Sequence, residues 1–108
     1  LFKQDLFDLF KFQLIKDFES AGWDIAFTNT LTKELEALKE SIRLQILYTS
    51  KQQAHFVPIL LYRIDLSEIQ IRNYLKKHPH LSYEAVLAEL IIKRILQKVI
   101  LKKTFSNK

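Results

Sequence analysis

The chain is 108 residues long, 48% hydrophobic and 27% charged, with one glycine, two prolines and neither cysteine nor methionine. Such a length and balance predict a single globular domain over residues 1–108 rather than a disordered or fibrous chain. The scarcity of glycine and proline argues against a many-stranded β fold, and the missing cysteine excludes disulfide frameworks, zinc-thiolate sites and thiol catalysis.

Residues 1–21 read as a first helix. Phe2, Leu6, Leu9 and Phe10 make one apolar stripe, and Phe7, Leu14 and Phe18 continue on an adjoining face. Ser20-Ala21-Gly22-Trp23 is the stop: Gly22 suits a left-handed C′ position, which sets Trp23 at C″ over Phe18 at C3. Trp23–Thr32 is a connection, with a short strand at Trp23–Phe27 as an alternative. A second, amphipathic helix spans residues 31–50, where Leu31, Leu35, Leu38, Ile42 and Ile46 form one stripe opposite a charged face.

The run from Ala54 to Asp65 fits either a buried strand or a short buried helix by periodicity alone. Pro58 favours a helix over 57–64, because proline is accommodated in a first turn and not in a central strand. A fourth helix, 67–77, opens on the Ser67/Gln70 capping box with Leu66 and Ile71 as hydrophobic staple, and stops at His78-Pro79. Ser82 then caps a fifth helix, 82–103, stapled by Leu81 and Val86. The expected fold class is therefore all-α, a compact bundle of about five helices.

The fifth helix changes its apolar flank midway. Tyr83, Leu87 and Leu90 lie together, whereas Ile92, Ile95, Leu96, Val99 and Ile100 centre on nearly the opposite face. One flat neighbour cannot cover both halves, so the second half must meet the N-terminal helix of the same chain or another molecule. Those five residues are the candidate interface, and the corresponding functional expectation is association, as a homo-oligomer or with a protein partner.

Charge suggests a second reading. Residues 1–54 hold seven Lys or Arg against eight Asp or Glu, and residues 55–108 hold ten against four, so the halves carry −1 and +6. No acidic residue follows Glu89, which leaves Lys93, Arg94, Lys98, Lys102 and Lys103 as candidates for a non-specific nucleic-acid contact. These cations read as scattered around the helix; their plainer role is to complement a helix C-terminus. Although 67–77, the turn and the Ser82 helix resemble a helix-turn-helix in outline, the first turn of the second helix offers Tyr83, Glu84, Ala85 and Val86. Glu84 there argues against reading of base edges.

Little else points to chemistry. No phosphate-binding glycine loop, G-x-S-x-G or H-E-x-x-H is present, so no enzymatic activity, cofactor or small-molecule substrate is expected. His78 and His80 read as turn residues rather than metal ligands, and Asp5/Asp8, Asp17/Glu19 and Glu36/Glu40 as solvated helix faces. If buried, Arg63 must pair with Asp65 or a carboxylate of another helix. No apolar run approaches the roughly 20 residues that span a bilayer, and no secretory signal is apparent, which predicts a cytoplasmic protein without membrane contact. Leu1 and the lack of methionine predict a trimmed N-terminus, and the wealth of Lys, Ile, Leu and Phe suggests an AT-rich bacterial coding sequence.

Overall fold

The computed structural model describes residues 3–106, with side chains to Thr104. Five α-helices follow one another: α1 Gln4–Ser20, α2 Leu35–Gln52, α3 Phe56–Ile64, α4 Glu68–Lys77 and α5 Tyr83–Ser106, with a 3-10 helix at Ala26–Thr30 and no strand among the described residues. The all-α bundle expected from periodicity is the fold. Leu1 and Phe2, the first positions of the expected stripe, fall outside the described residues.

The stop of α1 matches its sequence signature atom by atom. Gly22 sits at φ 87°, its N–H donates to the Glu19 carbonyl at 3.0 Å and the Trp23 N–H donates to the Phe18 carbonyl at 3.0 Å, which is a Schellman turn. The Trp23 ring meets Phe18 edge-on with centroids 5.1 Å apart, and its Nε1 donates to the Phe56 carbonyl at 2.9 Å. One glycine thus turns the chain and delivers the indole to the start of α3.

The connection that follows is a 3-10 turn rather than a strand. Thr28 Oγ1 donates to the Ile25 carbonyl and Thr30 Oγ1 to that of Phe27, while the Asp24 carboxylate accepts from the Ala26 N–H. These local bonds compete with regular helix, and α2 begins four residues later than its apolar stripe does. Leu31 is buried in extended backbone, so the stripe continues in space while the helix does not. The α2 residues Leu38, Ile42 and Ile46 face the core as expected.

Pro58 stands in the first turn of α3, where its missing N–H costs no intrahelical bond. The helix closes on a second Schellman turn, with Leu66 N–H on the Leu61 carbonyl at 2.9 Å and Asp65 N–H on that of Tyr62 at 3.1 Å. Here the left-handed residue is Asp65, at φ 70°. The Ser67/Gln70 capping box is complete, Leu66 and Ile71 are buried together in the core, and Ser82 Oγ accepts from the Ala85 N–H at 3.1 Å.

The longest helix, α5, is the axis of the bundle and packs against each of the other four. Its first half is buried around most of its circumference, through Val86, Leu87, Ala88, Leu90, Ile91 and Ile92. Tyr74 ties α4 to it, donating its hydroxyl to Glu89 Oε1 at 2.6 Å, and His78 stacks on the Tyr74 ring. The hydrogen bond to Glu89, then burial, push the Tyr74 hydroxyl up to about 12.

Two outcomes follow. Gly22→Ala should cost about 1 kcal/mol of unfolding free energy, measured by denaturant titration. The added Cβ would meet nothing nearer than Phe56 Cζ at 4.0 Å, so the loss is backbone strain. A Tyr74 hydroxyl held above its unfolded value of 10.0 contributes stability that is complete below that value and fades as pH rises through about 12. Thermal midpoints should therefore fall over that window, and Tyr74→Phe should flatten the decline.

Candidate functional site

The five interface candidates divide. Ile92, Ile95 and Val99 are 4%, 0% and 5% exposed, Leu96 is half-buried, and Ile100 is 54% exposed. The first three are covered by the chain itself, because α1 lies antiparallel along the second half of α5: Lys98 Nζ donates to Asp17 Oδ2 at 2.9 Å and Lys102 Nζ to Gln13 Oε1 at 2.6 Å. Of the two neighbours foreseen for this flank, the N-terminal helix is the one present.

The five basic candidates divide as well, and for the same reason. Arg94, Lys98 and Lys102 recur every fourth residue and are therefore aligned on one face, not scattered. Arg94 donates through Nε to the Ile64 carbonyl at 3.2 Å and pairs through Nη2 with Asp65 at 3.3 Å. Lys98 reaches the Arg63 carbonyl at 3.4 Å as well as Asp17. Arg94 and Lys98 thus complement the C-terminus of α3, while Lys103 lies in the last turn of α5 itself. Lys93 and Lys103 remain exposed on the helix.

Two charge assignments change accordingly. Asp17 is not on a solvated face: it is buried, accepts from Gln13 Nε2 at 3.1 Å and from Lys98, and joins α1 to α5. Arg63 is exposed, and Asp65 takes Arg94 in its place. A signal for the first existed. Asp17 recurs with Phe10, Gln13 and Leu14 at helical spacing, which places it on the buried side of α1. Among the described residues, no buried side-chain polar atom lacks a partner.

What remains open to a ligand is apolar. At the α1/α5 edge, Leu9 and Phe12 are 45% and 61% exposed; with Val99 they line a hollow of about 360 Å³ rimmed by Lys16, Lys102 and Lys103. Phe12 also lines a second hollow of about 620 Å³ along the outer face of α1, so its ring stands as a ridge between the two. Ile100 and Leu101 lie exposed on the same stretch of α5. Around the other end of α5, helices α2, α3 and α4 enclose a groove of about 750 Å³ lined by Ile46, Val57, Leu61, Leu66, Ile71 and Tyr83. Glu68, Arg72 and Glu84 lie along it. Burial pushes the Tyr83 hydroxyl above its ordinary value, and the nearby Glu68 and Glu84 carboxylates add to that shift.

Among the described residues, no three His, Asp or Glu side chains gather into a metal-holding group, and no helix is long and apolar enough to cross a membrane. No protein-family model matches the chain, and neither curated proteins nor solved structures yield a match.

Lys98→Met should destabilise the fold by about 2 kcal/mol, because it strands the buried Asp17 carboxylate. The double variant Lys98→Met with Asp17→Leu should recover most of that loss, as read from denaturant midpoints.

Proposed function

We propose that this protein is an association module, one that assembles with copies of itself or with a protein partner. The observation carrying this reading is the exposed apolar surface at the α1/α5 edge, where Leu9 and Phe12, 45% and 61% exposed, line one hollow with Val99, while Ile100 and Leu101 stand about half exposed further round α5. Large apolar side chains grouped in this way, with lysines around them, have the composition of an interface rather than of ordinary scattered surface residues. The reading retains Ile100 and the half-buried Leu96 from the sequence-derived interface and adds Leu9 and Phe12 from α1. It leaves Ile92, Ile95 and Val99 to the core.

The nucleic-acid reading draws less support. Arg94, Lys98 and Lys102 are engaged within the chain, which reduces the cations free to displace counterions from a phosphate backbone.

Light scattering after size exclusion tests the proposal. The expected result is a mass above that of one 108-residue chain, rising with concentration, and lowered by Phe12→Asp without loss of helicity. A strict monomer that does not capture a partner, but is retained on heparin until moderate salt, would overturn association in favour of nucleic acid.

A further inference from the structure

We propose that the chain associates with a second copy of itself, the Phe12 ridge of one copy entering the groove between α2, α3 and α4 of the other. The inference rests on the association reading and specifies its partner and geometry.

Shape supplies the first argument. Phe12 projects between two hollows with Leu9 beside it, one turn earlier on α1. The groove at the other end is the largest of those described, about 750 Å³, room enough for a phenylalanine and a leucine. Its floor of Ile46, Val57 and Ile71 is already buried, so an entering ring would meet packed aliphatic side chains rather than a collapsible space. Tyr62 and Tyr83 stand exposed at its mouth, placed to close over an incoming ring.

Charge supplies the second. Around the Phe12 ridge stand Lys11, Lys16 and Lys102 against Asp8 and Glu19, and Lys102 is held by the neutral Gln13 amide rather than by an acid. The groove carries Glu68 and Glu84 against the single Arg72. Both carboxylates stand close enough to the Tyr83 hydroxyl to disfavour its ionisation. The ridge is thus net positive and the groove net negative, so the two are complementary, whereas ridge against ridge or groove against groove would oppose like net charges.

Position supplies the third. Tyr83 and Glu84 begin α5 and Lys102 and Lys103 lie near its end, about 30 Å apart along the helix axis, in a molecule 40 Å in its longest dimension. At that separation the two surfaces cannot satisfy each other within one copy, so each is open to a second copy. Paired side by side across a twofold axis they close a dimer with two such contacts; paired end to end they give a ring or a filament.

The experiment uses the full chain and two variants that alter exposed side chains: Phe12→Asp on the ridge, and Tyr62→Lys combined with Glu68→Lys on the groove. Circular dichroism and thermal midpoints first establish that each is folded; Phe12→Ser replaces the ridge variant if needed. Wild type should form a dimer or larger assembly and dissociate at high salt. Each variant alone should associate at least tenfold more weakly. An equimolar mixture should restore one interface, built from the intact groove of the ridge variant and the intact ridge of the groove variant, and stop at a dimer. A wild-type assembly abolished by one variant and untouched by the other would overturn the ridge-in-groove contact while keeping association. A monomer at every concentration and salt would overturn both.

Discussion

The organisation of this molecule follows from one helix that cannot be covered by one neighbour. Along α5 the buried surface narrows and turns, from nearly all round at Val86–Ile92 to a single flank at Ile95 and Val99. The first half requires enclosure, which α2 and α4 supply, and the second requires a helix laid along it, which α1 supplies. Short α3 bridges the two, touching α1, α2 and α5. Hydrophobic area alone would leave the position of α1 along α5 loosely defined, since a phenylalanine-rich face can slide. Lys98 on Asp17 and Lys102 on Gln13 reduce that freedom, because a slip of less than a full turn would leave the buried Asp17 carboxylate between cations and unpaired.

Turns and caps were the most legible parts of the chain, for a physical reason. Gly22, Ser67 with Gln70, and Ser82 act on backbone groups within a few residues, so their chemistry is complete in a short window of sequence. The helical reading of Phe56–Ile64 was also sound, since Pro58 restricts its own backbone whatever surrounds it. Long-range pairings were not legible in this way. Asp17 and Lys98 are 81 positions apart, and each alone looks like an ordinary surface charge. Asp65 in the left-handed region breaks the usual preference for glycine. Its carboxylate is held by Arg94, a partner that only the packed bundle provides.

The candidate site was legible in kind and displaced in place. The sequence indicated that the second half of α5 needed an apolar cover, and the structure locates that cover in the same chain. The surface then left open is the margin of the α1/α5 contact, where a wide arc of Phe and Leu on α1 exceeds what one neighbouring helix can bury. Leu9 was visible as a member of that arc, whereas Phe12 lay outside the stripes read from the spacing. Which of its members face water depends on the rotation of α1 about its own axis, and that rotation is set by the distant lysines of α5.

Trp23 gives the molecule a built-in optical reporter. It is the sole tryptophan, its indole is sealed from solvent and bonded to the backbone of α3, and it borders the turn that ends α1. Its fluorescence therefore reads the seam between the first and third helices. A red shift in emission would register the parting of that seam even where the total helix content stayed constant.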